Sequence, residues 1–287
     1  MGEALHPLPG ETGRSTLNLT VPSPPVKGPR PIGALGPVRD LLGLFFPARC
    51  RICDRALDGI SRLPICPRCW VDAAPLAEKG LCNLCGLPAG PADIVVFQCA
   101  SCIEHPPRFA LARSYGEYGG ALRELVHLLK YDSMIPLAKP LGERLASVAE
   151  NPAWREEFAS CQAVAAVPLD PVRLRSRGYN QAELLARVVA RLLGLPLLPA
   201  RAFRRVRSTA TQAGLTRPQR RENVRGAFEA QSAAVKDRRI LLVDDVMTTG
   251  ATLDSCAAAL RAAGASRVLA LCVARTPEPR SAEALDV

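Results

Sequence analysis

Aromatic residues are scarce: Phe, Trp and Tyr make up 5% of the 287 residues, with two tryptophans. The core must therefore be aliphatic, built from Leu, Val and Ala. Histidine is scarcer still, present only as His6, His105 and His127. Neither a His-rich metal centre nor a Ser/His/Asp arrangement can be read from them. Long apolar runs are missing too. The run near the start, Leu41 to Phe46 with Gly43 inside, is far too short to span a bilayer. The first 36 residues are rich in Pro and Gly and carry no continuous apolar segment of the secretory kind. Neither export nor membrane insertion is expected, and a reducing cytoplasm is the expected compartment. Acids are in deficit, 27 against 37 Lys and Arg, for a formal charge of +10 and a pI near 9.3. That balance favours polyanionic partners, nucleic acid or phosphorylated small molecules, without choosing between them.

Cysteine, by contrast, is plentiful. Of eleven, eight form four Cys-x-x-Cys pairs, at Cys50/Cys53, Cys66/Cys69, Cys82/Cys85 and Cys99/Cys102. In a reducing compartment such pairs mean metal more often than disulfide. Each pair makes a turn that offers two thiolates to one ion, and two pairs complete a tetrahedral Cys₄ site. Eight ligands predict two structural Zn²⁺ sites. Sequential pairing, first with second and third with fourth, is the simplest arrangement; crossed pairing fits the same spacing. A redox role explains one pair but not four. His105 follows Cys102 closely enough to substitute as a ligand, although eight thiols already fill two sites. Cys161, Cys256 and Cys272 fall in strand or helix patterns and read as core.

The chain divides by composition. Residues 1–37 read as a disordered tail, though a translation start placed too far upstream explains them equally well. A cysteine-rich unit is expected at 38–108, opened by a short amphipathic helix at Val38 to Phe46. An α/β domain follows at 109–278, and a tail at 279–287. Within the α/β domain, helices are predicted at Ala121 to Tyr131, Leu137 to Ala149, Asn180 to Leu193 and Thr252 to Ala263. Strands are predicted at Ala163 to Pro168, Ile240 to Val243 and Val268 to Ala274. Strands separated by helices imply a mostly parallel sheet. Ligands bind such sheets at the carboxyl ends of the strands.

At one such end stands Asp244-Asp245, followed by the turn Thr248-Thr249-Gly250-Ala251-Thr252 and a helix. Backbone amides at a strand-to-helix turn, aided by the helix dipole, suit a phosphate. The neighbouring carboxylates would repel it, so they need hydroxyl donors or a divalent cation. A ribose 5-phosphate supplies phosphate and vicinal diol in one ligand. The plain alternative is an Asp that caps a helix. A receiver-type acidic pocket is a second alternative, but it needs further β/α units after the acidic pair, more than the residues up to Val287 provide. Upstream, Arg173, Arg175 and Arg177 lie in an expected loop, Arg173 to Gln181, beside the acidic turn. Their guanidinium forks match pyrophosphate oxygens, with Arg177 and Asn180 the preferred contacts. The plain reading there is a solvated basic loop with Asn180 capping a helix. Residues 201–225 hold eight arginines and a single acid, Glu222. His127, on a helix flank, reads as packing or surface.

The string VDDVMTTGATL resembles the phosphoribosyl pyrophosphate (PRPP) signature of type I phosphoribosyltransferases. Val167-Pro-Leu, Arg173-Leu-Arg-Ser-Arg-Gly-Tyr-Asn-Gln181 and the stretch Gln212 to Phe228 sharpen it. With the cysteine-rich front end, these segments are similar to the ComF family, competence-associated phosphoribosyltransferase-like proteins that include the GntX type. The likeness covers about residues 40 to 276. It implies a type I phosphoribosyltransferase-like sheet flanked by helices and preceded by a double zinc ribbon. It implies that Asp244 and Asp245 hold the ribose hydroxyls and that Thr248, Thr249, Gly250, Ala251 and Thr252 cradle the 5-phosphate. Mg²⁺ would accompany PRPP, and residues 201–225, including Thr209, Gln212, Leu215 and Asn223, would form a flexible hood. Two functions follow from the likeness: ribosyl-phosphate transfer to an unidentified acceptor, or a PRPP-binding module that handles single-stranded DNA beside competence proteins. A nucleotide-responsive regulator would need a recognition helix, and none is visible.

Overall fold

Each apolar run of the second half becomes a strand covered on both faces, so its residues need not alternate with polar ones. The computed structural model describes residues 48–57, 61–88, 97–209 and 216–277, with only the backbone of Arg217. The expected tails at 1–37 and 279–287 and the helix expected at Val38 to Phe46 lie outside the described residues, as do Gln212 and Leu215.

In chain order the elements are α1 (Pro67–Asp72), α2 (Ala100–Glu104), β1 (Leu111–Glu117), α3 (Gly120–Tyr131), α4 (Ala138–Ala149), α5 (Arg155–Ala159) and β2 (Ala163–Ala166). Then come α6 (Pro171–Arg177), α7 (Gln181–Leu193), β3 (Phe203–Arg205), α8 (Arg217–Val224), β4 (Phe228–Ala230) and α9 (Ser232–Val235). β5 (Arg239–Met247), α10 (Ala251–Ala262) and β6 (Arg267–Arg275) complete the described chain. Four strands form one parallel sheet in the order β1-β6-β5-β2. β3 and β4 form a separate antiparallel pair.

The pleat of β5 sorts the core into two layers. Leu241 and Val243 pack with Leu125 and Leu129 of α3, Leu141 and Leu145 of α4, and Leu185 and Val189 of α7. Ile240 and Leu242 face the other way, toward Leu253, Cys256 and Leu260 of α10 and the rings of Phe203 and Phe228. Burying one such leucine is worth about 1.5–3 kcal/mol, so either layer alone fixes the register of the strand.

Two of the elements that differ from the sequence expectation have a clear physical cause. β1 was not predicted, because Arg113 and Ser114 interrupt its apolar pattern. Both are buried, since the cysteine-rich segment covers this edge: Arg113 donates to the carbonyls of Ala112 at 2.8 Å, and of Cys82 and Asn83 at 3.3 Å. The expected loop Arg173 to Gln181 is mostly the helix α6. Asp170 caps it, its Oδ1 accepting from the Val172 amide at 2.9 Å, Pro171 stands in the first turn, and Gly178 ends it at φ +81°. Among the described residues no helix is long and apolar enough to cross a membrane.

Candidate functional site

β5 carries its apolar run to Val243 and then leaves the core with two carboxylates. Successive side chains of a strand point to opposite faces, so Asp244 and Asp245 part company. Asp245 follows Leu241 and Val243 toward α3, where Lys130 Nζ lies 2.6 Å from its Oδ1. Its Oδ2 is buried with no hydrogen-bond partner. Asp244 follows Ile240 and Leu242 and lines an open basin of 730 Å³. One Asp244 oxygen accepts the Asp245 amide at 2.8 Å. Burial, and then the Asp245 charge, push the Asp244 carboxyl up to about 8, although Lys130 and the Asp245 amide pull it down. Burial works most strongly against the Lys130 charge, but the Asp245 carboxylate, joined by Asp244 and Tyr118, outweighs it and raises the ammonium.

The chain then turns through Thr248, Thr249 and Gly250 into α10. Gly250 has φ +82°, a dihedral that selects glycine, while the nearest atom to a Cβ there, Met247 Cε at 2.7 Å, is the movable tip of a flexible side chain. As N-cap, Gly250 offers no side chain to the first amides of α10; Thr249 Oγ1 accepts from the Ala251 amide at 3.4 Å. Such an end is where an anion is held. Thr248, Gly250 and Thr252 line the basin, whereas Thr249 and Ala251 belong to the turn behind it.

The opposite wall is basic. α6 presents Arg173, Ser176 and Arg177, spaced i, i+3, i+4 and hence on one face, and α8 adds Arg220. Arg175 is not among the lining residues. Arg177 donates to Gln181 Oε1 at 2.5 Å, and its guanidinium carbon lies 5.2 Å from the Tyr131 ring centroid. Asn180 caps α7 instead: its Oδ1 accepts from Ala182 at 3.1 Å and its Nδ2 donates to the Val167 carbonyl at 3.0 Å. It borders a smaller apolar groove on the far side of α6.

Sequence reasoning missed the third wall, Tyr118, Lys130, Tyr131 and Ser133. One signal was present. Lys130 stands four residues after Val126 and one after Leu129, a lone charge on the apolar stripe of α3. His127 packs on Tyr131, ring centroids 4.5 Å apart.

The paired cysteines gather sequentially. Cys50, Cys53, Cys66 and Cys69 form one group, and Cys82, Cys85, Cys99 and Cys102 another, with the sulfurs of each group all within 4.8 Å of one another. Sulfur separations are 3.8 Å for Cys50–Cys69, 3.6 Å for Cys53–Cys66 and 3.7 Å for Cys85–Cys99. A disulfide needs about 2.05 Å. The edge of a tetrahedron with Zn–S bonds of about 2.3 Å is about 3.8 Å, which these groups match. Amides of Cys66, Cys69 and Cys99 donate to sulfurs of their own group. All eight thiols are buried except Cys53. His105 is exposed, its ring nitrogen on the Glu104 carbonyl, and stays outside the second group. Cys161, Cys256 and Cys272 are core thiols that burial pushes up in pKa.

Comparison with known proteins matches the same two parts. Residues 179–286 fit the phosphoribosyl transferase domain and residues 41–104 the double zinc ribbon domain. The DNA utilization protein YhgH of Escherichia coli K12 is 31% identical over 233 residues, covering 81% of this chain and 99% of that protein. Competence protein F of Haemophilus influenzae is 30% identical over 208 residues, 67% of this chain and 89% of its own. Among solved structures, an allosteric regulatory enzyme of purine biosynthesis aligns over 48% of this chain and 26% of its own, at 21% identity and a TM-score of 0.32. A purine phosphoribosyltransferase from Pyrococcus horikoshii aligns over 48% and 82%, at 16% identity and a TM-score of 0.27.

Proposed function

The chain belongs to the ComF family, and from that premise we propose that its basin binds PRPP and transfers the ribosyl phosphate to an acceptor. The observation that carries this reading is the opposition of charge within one cavity. A buried acid, Asp244, and a helix start whose cap residue, Gly250, carries no side chain share a basin with Arg173, Arg177 and Arg220. A simple anion would leave the buried Asp244 carboxyl without a partner in the ligand, and a simple cation would meet the guanidiniums. A phosphorylated sugar with free hydroxyls satisfies both.

In this reading the 2- and 3-hydroxyls donate to Asp244, with Asp245 and Lys130 setting the local charge from behind. The amides and hydroxyls of Thr248 to Thr252 receive the 5-phosphate. Arg173 and Arg177 hold the pyrophosphate, fixed by the helical spacing of α6. The bond from C1 to the pyrophosphate oxygen breaks, the acceptor's nucleophilic atom bonds to C1, and its proton leaves to solvent or pyrophosphate. The transition state is oxocarbenium-like, so the chain's contribution is positioning and charge handling. Oxygen donors of the diol and pyrophosphate beside an acidic floor suit Mg²⁺, which would neutralise the leaving group. The two thiol groups would each hold one structural Zn²⁺.

A second reading has its own support. Tyr131 is 64% exposed at the basin mouth beside Arg177, and Tyr118 lines the same wall. Aromatic faces among guanidiniums suit an unpaired strand, and the relatives are named for DNA utilization and competence. The deciding experiment is calorimetry with PRPP and Mg²⁺, followed by a pyrophosphate-release assay across nucleobases and amines. Uptake lost in Asp244→Asn supports the first reading. Absence of uptake by zinc-replete protein refutes it. Salt-dependent single-strand binding that survives Asp244→Asn, without PRPP uptake, leaves the second.

A further inference from the structure

The second thiol group is not a remote staple. Arg275, at the end of β6, is 4% exposed and reaches in two directions. One guanidinium nitrogen donates to the Thr248 carbonyl at 2.7 Å, and the other approaches Cys85 Sγ at 3.5 Å. A single buried fork thus joins the turn that opens α10 to a sulfur of the Cys82/Cys85/Cys99/Cys102 group. The backbone joins them too. Thr276 donates to the Met247 carbonyl at 3.0 Å, immediately before the turn.

The group is seated on the sheet with little slack. The Ala112 amide of β1 donates to the Leu84 carbonyl at 2.7 Å, within the third Cys-x-x-Cys turn. Gly86, at φ +65°, lies so close that a Cβ would stand 2.8 Å from the Ala112 carbonyl oxygen. Beyond Cys102, the Arg108 amide and guanidinium both bind the Asp254 carboxylate in the first turn of α10, at 2.6 and 3.0 Å. Arg221 of α8 donates to Ser101 Oγ at 3.2 Å. Charge points the same way. Four thiolates around a divalent ion carry two net negative charges, and two buried guanidiniums, Arg113 and Arg275, stand beside the group.

We propose that Arg275 is a positioning residue through which the second thiol group, loaded with its metal, holds the Thr248 to Thr252 turn in its ligand-ready shape. For the ligand itself this rests on the phosphate-turn reading above; the coupling between group and turn does not. The two contacts are made by two different guanidinium nitrogens, a spread that the single nitrogen of a lysine does not reproduce. The first thiol group makes no such connection among the described residues.

Hydrogen–deuterium exchange on the full-length, zinc-loaded protein tests this without any ligand. Arg275→Lys, with two zinc ions still bound, should speed exchange of the Thr276 and Asp254 amides, which donate to the Met247 and Gly250 carbonyls on either side of the turn, about tenfold, the loss of one charged hydrogen bond. Amides of α7 should not change. Cys85→Ser should loosen the same turn, and Cys53→Ser, which weakens the first group, should not. Unchanged exchange at the turn in both Arg275→Lys and Cys85→Ser overturns the proposal, as does equal loosening by Cys53→Ser. Titration with ribose 5-phosphate is read separately: no uptake by the parent protein counts against the proposed function, while the exchange data still decide the coupling.

Discussion

Replacing Asp244 by asparagine should stabilise the ligand-free protein while abolishing its binding of the sugar. The carboxyl is buried, and burial, followed by the Asp245 charge, raises it from 3.8 to about 8. A group whose folded value lies above its unfolded value takes up a proton on folding. Its ionisation therefore costs stability over that interval: the contribution of this group is fully present below pH 4 and is lost as pH rises toward 8. Each pH unit between the two values is worth about 1.4 kcal/mol. Asparagine has the same shape and no such dependence. Allowing for relaxation around a buried pair, the variant's advantage should grow by about 2 kcal/mol between pH 5 and pH 7, roughly 4–8 °C in melting temperature. The assay is a pair of thermal melts at pH 5, 6, 7 and 8 without ligand, taking the difference between variant and parent. Only the difference isolates Asp244 from other titrating groups. A difference that is flat with pH, or a variant that melts several degrees below the parent at pH 7, refutes the reasoning. The expected pattern is the trade between stability and function seen where a binding group is held against its preference.

Lys130→Met should cost about 3 kcal/mol in urea unfolding, because it strands the Asp245 carboxylate 2.6 Å from the lost ammonium. Adding Asp245→Asn should recover most of that loss, and strict additivity of the two would refute the pairing. Gly250→Ala should lose about 1–2 kcal/mol from its φ of +82° and the Met247 contact, read as a lower urea midpoint at unchanged slope. Zinc should be found at two per chain and leave to a chelator in two phases, the faster from the group containing exposed Cys53. A single phase for both ions would show that exposure does not govern release.

The sheet was legible where residues repeat a pattern and illegible where a neighbour overrides it. Val268 to Ala274 is apolar throughout and reads as a buried strand on its own. β1 does not, because Arg113 is buried only by virtue of carbonyls from Cys82 and Asn83, thirty residues earlier in the chain. The same distinction runs through the basin. Asp244 to Thr252 and Arg173 to Arg177 are each a short run of sequence, and the cavity takes Asp244, Thr248, Gly250 and Thr252 from one and Arg173 and Arg177 from the other. The division of labour within the first run is not legible. That Asp244 lines the cavity and Asp245 turns to Lys130 follows from the strand's pleat, which the string VDD carries without saying which face is open. Reading Arg173 to Gln181 as a loop overlooked Asp170-Pro171, a helix start in its own right. The helix matters to function, since it selects Arg173 and Arg177 and leaves Arg175 out.

The two readings of the basin differ in the sign they assign to one residue. For a phosphorylated sugar, the Asp244 carboxylate is an acceptor for hydroxyls, and its loss removes affinity. For a nucleic-acid backbone held by Arg173, Arg177 and Arg220, the same carboxylate is a like charge within the same cavity, and its loss should leave affinity unchanged or raise it. Salt separates them as well. A strand that neutralises several phosphates loses affinity steeply as salt rises, with a slope of about −0.7 for each contact. A sugar phosphate gripped partly by hydrogen bonds to a buried carboxylate depends on salt far less. Asp244→Asn measured against PRPP and against a short single strand, each at two salt concentrations, therefore weakens binding of the first and does not weaken binding of the second. A parallel loss for both would mean that neither ligand is distinguished by the floor of the basin, and that the opposition of charges on which the assignment rests plays no part in recognition.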